Sequence, residues 1–156
     1  MCVFGFTTPP ASVHLADHNC PIEEVVERVR PVGEGARAVG SRVRDYVSCV
    51  VSCPYEGRIQ PSQVAHVTRQ LLDLGVDEIS LGDTIGVARP REIHALLDAI
   101  IPDTGTDILA LHCPDTYGQA LANIPAGLDR GLRIFDSAVS DPVPETPRTP
   151  PAKQTG

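Results

Sequence analysis

The feature that most constrains the fold is a regular alternation of short apolar runs with amphipathic segments. The two kinds of segment repeat with a period of roughly 30 residues, as βα units require. The apolar runs have strand character, because they are short and rich in Val, Ile and Leu. The strand-like runs are residues 3–6, 42–51, 78–82, 107–111 and 133–135.

The segments between these runs are predicted to be helices, and proline marks where three of them begin. Pro21, Pro61 and Pro90 each precede apolar residues at helical spacing, and proline is well suited to the first turn of a helix. Gly75 follows the second periodic segment and should end it. Residues 116–130 form the fourth helical stretch.

Two further prolines oppose this helical pattern. Pro31, followed by two glycines, should kink or shorten the first helix, and Pro125 lies inside the fourth. A proline in a helix interior costs ~3 kcal/mol or more. We also expect Asp115 to cap the fourth helix.

The order of these elements indicates an α/β fold with parallel strands, because right-handed crossovers would place the strands in one sheet. A closed (β/α)8 barrel normally needs ~250 residues, and this chain has 156. We therefore predict a partial (β/α)8 TIM barrel, about half of the barrel, over residues 1–140; an open parallel sheet is the alternative. Residues 141–156 contain five prolines and little to bury, which predicts a disordered tail.

Charge and composition exclude several classes of function. A formal net charge of −7 argues against a nucleic-acid partner, which would need a basic face. No apolar run approaches the ~20 residues of a membrane span, and the first residues lack the basic leader of a signal peptide. Five cysteines match no disulfide framework or zinc site. We expect a reduced, cytoplasmic setting.

Polar residues follow three of the predicted strands, where barrel enzymes place their catalytic groups. Asp83 lies between a strand and a turn, where a carboxylate could orient a substrate or hold a proton; it could equally cap a helix or form an Asx turn. His112 follows an apolar run. It is interpreted either as a metal ligand or as a hydrogen-bonded structural residue. Cys49 and Cys53 lack a second pair and are interpreted as free thiols.

Several of these segments together resemble one family of enzymes. The resemblance to hydroxymethylglutaryl-CoA lyase rests on residues 42–49, CPYEG at 53–57, the run ending in GDTIG at 80–86, and DTYGQALAN at 115–123. The GDTIG run alone would indicate only the wider superfamily, which includes isopropylmalate and homocitrate synthases. A related Claisen-type acyl-CoA synthase is therefore an alternative, against which the CPYEG run argues.

The resemblance implies cleavage of 3-hydroxy-3-methylglutaryl-CoA, an acyl-CoA substrate, into acetyl-CoA and acetoacetate. It implies a divalent cation, Mg²⁺ or Mn²⁺, that binds the substrate oxygens as a Lewis acid. Asp83 would assist catalysis, and His112 would be a metal ligand and a proton carrier. Tyr46, Ser48 and Thr84 match positions that face the substrate.

The chain departs from the family pattern at one metal ligand. Pro114 occupies the position of the second metal-binding histidine, and proline has no donor atom on its side chain. The resemblance places the family's remaining ligands, an Asp and an Asn, on segments that this sequence does not contain. We therefore expect no turnover by the chain alone. A non-catalytic binding or assembly module is the alternative, in which half a barrel self-associates or pairs with a complementary half.

Overall fold

The computed structural model of the protein describes residues 22–54 and 56–136. The predicted strand at residues 3–6 and the predicted tail at 141–156 lie outside this part, so the domain boundary near residue 140 stays a prediction. The elements are α1 (Ile22–Ala38), β1 (Arg44–Val47), β2 (Ser52–Cys53), β3 (Gly57–Arg58), α2 (Pro61–Asp73), β4 (Glu78–Gly82), α3 (Pro90–Thr104), β5 (Leu109–His112), α4 (Ala120–Asp129) and β6 (Ile134–Asp136).

Four strands form one parallel sheet in the order β1-β4-β5-β6, and β2 pairs with β3 in a separate antiparallel hairpin. Each parallel strand lies beside the parallel strand that precedes it in the chain. A doubly wound open sheet reverses its strand order at a switch point, and no reversal occurs among the described strands. The sequential order is that of a (β/α)8 barrel, of which these strands form a part.

The helices cover one face of this sheet. Helix α2 packs against α3, and α3 packs against α4. The core between helices and sheet is aliphatic, as the scarcity of aromatic residues requires. Its largest fully buried side chains are Val50, Leu71, Ile79, Leu81, Ile93, Leu96, Leu97, Ile100, Leu109, Leu111 and Leu132.

Proline and glycine set the helix boundaries as the sequence indicates. Pro61 and Pro90 are the first residues of α2 and α3, confirming the two predicted starts. Gly75 follows α2 with φ of 76°, a left-handed conformation that glycine adopts without steric cost. Strand β4 covers the predicted residues 78–82. In the described part of the chain, none of the helices combines the length and apolar character needed to cross a membrane.

The two internal prolines interrupt their helices less than expected. Helix α1 continues through Pro31 for 17 residues, and α4 continues through Pro125, so the prediction of a shortened first helix is wrong. Both prolines lie on exposed helix faces, and so do Glu27 and Leu121, the residues four positions earlier. Water can therefore reach the carbonyl groups that lose their hydrogen bonds.

The fourth helix begins later than its periodicity predicts. Its first residue is Ala120, whereas we expected Thr116. The N-cap residue is Gln119 and not the predicted Asp115, but Oδ1 of Asp115 accepts a 3.0 Å hydrogen bond from the amide of Ala120, the first helical residue. A turn closed by the Gly118 amide and the Asp115 carbonyl comes first, which delays the start of the helix.

Candidate functional site

The carboxyl ends of the four parallel strands meet at one edge of the sheet. The loops that leave this edge are residues 48–51 after β1, 83–89 after β4 and 113–119 after β5. In open and closed parallel sheets alike, binding and catalytic groups lie at this edge. All five predicted site residues lie on or next to it.

Two backbone amides of the loop after β1 donate hydrogen bonds to the end of β4 and to the loop that follows it. The amide of Cys49 donates a 2.8 Å hydrogen bond to Oγ1 of Thr84, and the amide of Val50 donates one of 3.1 Å to the Gly82 carbonyl. Cys49 has φ of 57°, a left-handed conformation that costs a non-glycine residue roughly 1–2 kcal/mol. Backbone strain of this kind tends to occur at functional sites.

Asp83 is buried, with 1% of its surface exposed, and its carboxylate is held by its own loop. Oδ2 accepts a 2.8 Å hydrogen bond from the Ala88 amide, and Oδ1 accepts one of 3.3 Å from the Val87 amide. Burial raises the pKa of Asp83, although these amide hydrogen bonds oppose the shift. The carboxylate therefore holds its own loop by a longer reach than an Asx turn, and it does not cap α3, whose N-cap residue is Arg89. The catalytic role of Asp83 stays a prediction, and the raised pKa is what a proton-holding carboxyl group requires.

His112 is the last residue of β5 and is half-buried. Its carbonyl accepts a 3.2 Å hydrogen bond from the Asp83 amide, so the two candidate catalytic residues are adjacent through the backbone. In the strand register His112 lies opposite Gly82 on one side and Asp136 on the other. A Cβ atom at Gly82 would lie 3.5 Å from the Val47 carbonyl oxygen and 3.8 Å from Oγ1 of Thr84, so β1 and β4 approach each other closely at this edge.

The strand periodicity places His112 on the face of the sheet opposite the helices. A Cβ atom added to Gly127 in α4 would lie 3.3 Å from Cδ2 of Leu111 and 2.8 Å from Cε1 of Phe135, so Leu111 and Phe135 point toward the helices. Side chains one residue further along a strand point to the other face. His112 and Asp136 therefore share the face that α2 to α4 leave uncovered.

Tyr46 and Ser48, the predicted substrate-facing residues, belong to β1 and the residue after it. Both are half-buried, and Tyr46 pairs with Ser80 across β1 and β4. The Arg44 guanidinium lies over the Tyr46 ring at 5.2 Å from its centroid, a cation–π contact. The assigned substrate contacts of Tyr46, Ser48 and Thr84 stay predictions.

The sequence interpretation missed a charged network on the same uncovered face. Arg44 forms ion pairs with Glu78, at 3.0 Å, and with Asp136. Asp136 also accepts a 2.9 Å hydrogen bond from the Ser80 hydroxyl. The alternation of side chains along each strand could have indicated this network. Its members and Tyr46 occupy alternating strand positions, on the face opposite to the buried apolar side chains. These members are Arg44, Glu78, Ser80 and Asp136.

Cys49, Cys53 and Cys113 form no disulfide, as predicted for Cys49 and Cys53, and all three are buried. Burial raises the pKa of the Cys113 thiol to about 12, with a further contribution from the charge of Asp83. Burial likewise raises the pKa of Cys49. A thiol is a nucleophile only as the thiolate, so neither of these two groups is suited to nucleophilic catalysis.

The described residues do not form a metal site by themselves. Among residues 22–54 and 56–136, no three His, Cys, Asp or Glu side chains converge to hold an ion. Pro114, two residues after His112, is buried and supplies no donor atom. The Asp83 carboxylate is already engaged by two amides. His112 alone does not fit a hard cation that prefers several oxygen ligands.

A sequentially ordered parallel sheet with polar groups at its carboxyl edge defines a portion of a (β/α)8-barrel protein. The comparisons with known proteins agree: the HMGL-like family model matches residues 6–140, and the chain belongs to that family. It is 49% identical over 122 residues to the mitochondrial hydroxymethylglutaryl-CoA lyase of Bos taurus, which covers 78% of this chain and 38% of the relative.

Two further relatives support the same placement. The cytoplasmic 3-hydroxy-3-methylglutaryl-CoA lyase of Rattus norvegicus is 48% identical over 140 residues, covering 90% of this chain and 40% of that protein. The crystal structure of hydroxymethylglutaryl-CoA lyase from Pseudomonas aeruginosa superposes with a TM-score of 0.83 at 43% identity, over 88% of this chain and 46% of that one. The chain thus spans less than half the length of these relatives.

Proposed function

We propose that this chain provides part of the barrel of a hydroxymethylglutaryl-CoA lyase. Such an enzyme cleaves 3-hydroxy-3-methylglutaryl-CoA into acetyl-CoA and acetoacetate. Membership of the HMGL-like family supports the proposal. The structural observation that carries it is the position of His112 at the carboxyl edge, on the uncovered face and opposite Gly82.

The chemistry requires a proton to leave the substrate hydroxyl while a carbon–carbon bond breaks. The C–O bond becomes the ketone of acetoacetate, and the electron pair of the broken bond passes to the enolate of acetyl-CoA, which then takes up a proton at carbon. We assign His112 as the proton carrier. Asp83 assists it, and its buried carboxyl with a raised pKa suits this role. Tyr46, Ser48 and Thr84 are assigned to substrate contacts at the same edge.

A divalent cation, Mg²⁺ or Mn²⁺, stays a prediction from the family resemblance. The described residues offer it one imidazole, that of His112, and Pro114 contributes none. Further ligands would have to come from outside the described part. For this reason no step of the reaction is assigned to the cation.

The uncovered face of the sheet supports a second part of the proposal, concerning assembly. Among the described strands, β1 pairs only with β4 and β6 pairs only with β5, so each leaves one edge open. Open edges and an uncovered face favour association. We propose that further strands complete the barrel, from a complementary barrel half or from self-association. Size-exclusion chromatography tests this, and a monomeric chain that melts cooperatively would contradict it.

A cytoplasmic setting also stays a prediction. Relatives named as cytoplasmic and as mitochondrial resemble the chain almost equally, at 48% and 49% identity. Fractionation of cells that express the natural gene decides between the two compartments.

The first experiment measures acetoacetate release from 3-hydroxy-3-methylglutaryl-CoA with added Mg²⁺ or Mn²⁺. We expect the 156-residue chain alone to release nothing above background, because of the ligand shortage. Pro114→His alone should not restore turnover, since one further imidazole still leaves the set incomplete. Turnover by that single variant would show that the described residues come closer to a full site than we infer.

The second experiment tests the function itself in a complete barrel. Residues 42–136 replace the corresponding segment of the Pseudomonas aeruginosa relative. We expect the chimera to turn over at least about 100-fold more slowly than the parent, since even outer partners of metal ligands contribute 10–100-fold. Pro114→His in the chimera should recover activity, and Pro114→Ala should not. A folded Pro114→His chimera without activity would contradict the proposal.

A further inference from the structure

A basic cavity lies beside the candidate site and has no role in the proposed reaction. It has a volume of about 270 Å³ and is bordered by Ser52, Arg58, Arg89, Arg91 and Glu92. The hairpin β2–β3 forms one wall, and the loop that leads into α3 forms the other. Both follow carboxyl ends of strands, so the cavity opens at the same edge of the sheet as His112.

The cavity has an excess of positive charge, although the chain as a whole carries −7. Its one carboxylate, Glu92, forms an ion pair with Arg58 and accepts a 3.0 Å hydrogen bond from the Arg89 amide. Partial burial raises the pKa of Glu92, but the contacts with Arg58 and the Arg89 amide outweigh it and lower the pKa overall. Glu92 is therefore ionised, and Arg58 neutralises it.

The guanidinium groups of Arg89 and Arg91 remain, and the charge of Arg91 adds only a minor part to the lowered pKa of Glu92. Within the described residues, neither Arg89 nor Arg91 forms an ion pair with a side chain. Guanidinium groups bind phosphate oxygens through paired, charge-assisted hydrogen bonds. Two such groups at one cavity match the charge of a phosphate group.

A second cavity adjoins the first and is more apolar. It has a volume of about 200 Å³ and includes Val50, Ile59 and Leu96 in its lining. Arg58 and Glu92 border both cavities, so their ion pair forms a shared wall. A basic cavity next to an apolar one suits a phosphate joined to a ring system better than a free inorganic ion.

We propose that the Arg89 and Arg91 cavity binds a phosphate group of the nucleotide part of an acyl-CoA. The inference rests on the proposed function for its choice of ligand. The acyl end would lie at the carboxyl edge near His112, and the nucleotide would be held at the rim by the loop before α3. This assigns a binding role to Arg89 and Arg91, which are not among the predicted site residues.

Isothermal titration calorimetry of the full chain tests the proposal with three probes: coenzyme A, pantetheine, which lacks the nucleotide and its phosphates, and inorganic phosphate. We expect coenzyme A to bind more tightly than either of the others. Arg89→Gln with Arg91→Gln should weaken coenzyme A binding about 100-fold, since each charge-assisted contact contributes roughly a factor of ten. Arg133→Gln is the control, an exposed arginine at the opposite end of the sheet.

Each result has a defined meaning. No binding of coenzyme A, or equal binding by the double variant and the natural chain, would overturn the proposal. Inorganic phosphate bound as tightly as coenzyme A would identify a free-anion site and would overturn the assignment to a nucleotide. An inactive chimera together with arginine-dependent coenzyme A binding would refute the lyase proposal and leave this one standing.

Discussion

The backbone amide of Cys49 donates a 2.8 Å hydrogen bond to Oγ1 of Thr84, across 35 positions of sequence. Cys49 is also the only non-glycine residue with positive φ in the described part of the chain. The hydroxyl of Thr84 thus accepts a hydrogen bond from the amide of a strained, buried residue that follows the neighbouring strand β1. This contact fixes the first two loops of the candidate site relative to each other.

Thr84→Val should lower the free energy of unfolding by about 1–2 kcal/mol, because it leaves the Cys49 amide without an acceptor at nearly constant volume. Thr84→Ser is the matched control, since it keeps the hydroxyl. Urea unfolding followed by circular dichroism measures both variants. The contact would contribute nothing if the Thr84→Val variant were as stable as the natural chain and the Thr84→Ser variant were less stable than Thr84→Val.

The buried carboxyl group of Asp83 should make stability depend on pH. Burial raises its pKa above the value in the unfolded chain, so the folded state holds the proton more tightly. The stabilisation from protonation is then fully present below the unfolded pKa and is lost as the pH rises through the folded pKa. Asp83→Asn lacks this titration.

We therefore expect the stability of the natural chain, relative to Asp83→Asn, to decrease as the pH rises across that window. Urea unfolding of both proteins between pH 3 and pH 7 measures the difference, and other titrating groups cancel because both proteins share them. A difference that is constant, or that increases with pH, would contradict the raised pKa.

Much of the fold could be predicted because local chemistry determines it. Pro61 and Pro90 begin their helices, and the apolar run of β4 needs no distant information. Helix α4 was placed too early, because periodicity does not show the turn that Asp115 and Gly118 form before it.

The site was less predictable, because its contacts depend on strand register. Arg44 and Asp136 pair across 92 positions, and no local pattern identifies such a partner. The sequence left Asp83 with two interpretations, and only the positions of the Val87 and Ala88 amides show what its carboxylate contacts.

Two glycines in helices provide a paired test of packing. A Cβ atom at Gly127 would lie 2.8 Å from Cε1 of Phe135, whereas one at Gly35 would meet nothing within 4 Å. Replacing glycine with alanine in a helix gains up to about 1 kcal/mol of helix propensity. Overpacking a core costs about 1–3 kcal/mol.

Gly127→Ala should therefore destabilise the protein by about 1–2 kcal/mol, while Gly35→Ala should stabilise it by about 0.5–1 kcal/mol. Thermal and urea unfolding measure both changes. If both variants became more stable, Phe135 would have to move freely, and the close packing of α4 on β6 would not hold.

The charged network on the uncovered face should stabilise the sheet through Arg44. Its side chain is 14% exposed and lies between Glu78 and Asp136, which are 17% and 28% exposed. Arg44→Met removes the charge and keeps much of the apolar stem, so the two carboxylates lose their shared partner. Such a loss costs 3–5 kcal/mol for a fully buried pair and under 1 kcal/mol for an exposed one.

We accordingly expect Arg44→Met to lower the free energy of unfolding by about 2 kcal/mol, while Arg42→Met, at a neighbouring exposed position, changes it by less than about 0.5 kcal/mol. Adding Asp136→Asn to Arg44→Met should cost less than the sum of the two single changes, because the second change removes a carboxylate that the first left unpaired. Urea unfolding of the two single variants and the double variant measures this double-mutant cycle. Strict additivity would mean that Arg44 and Asp136 do not stabilise each other. The strands β1 and β6 would then be coupled only through the strands that lie between them.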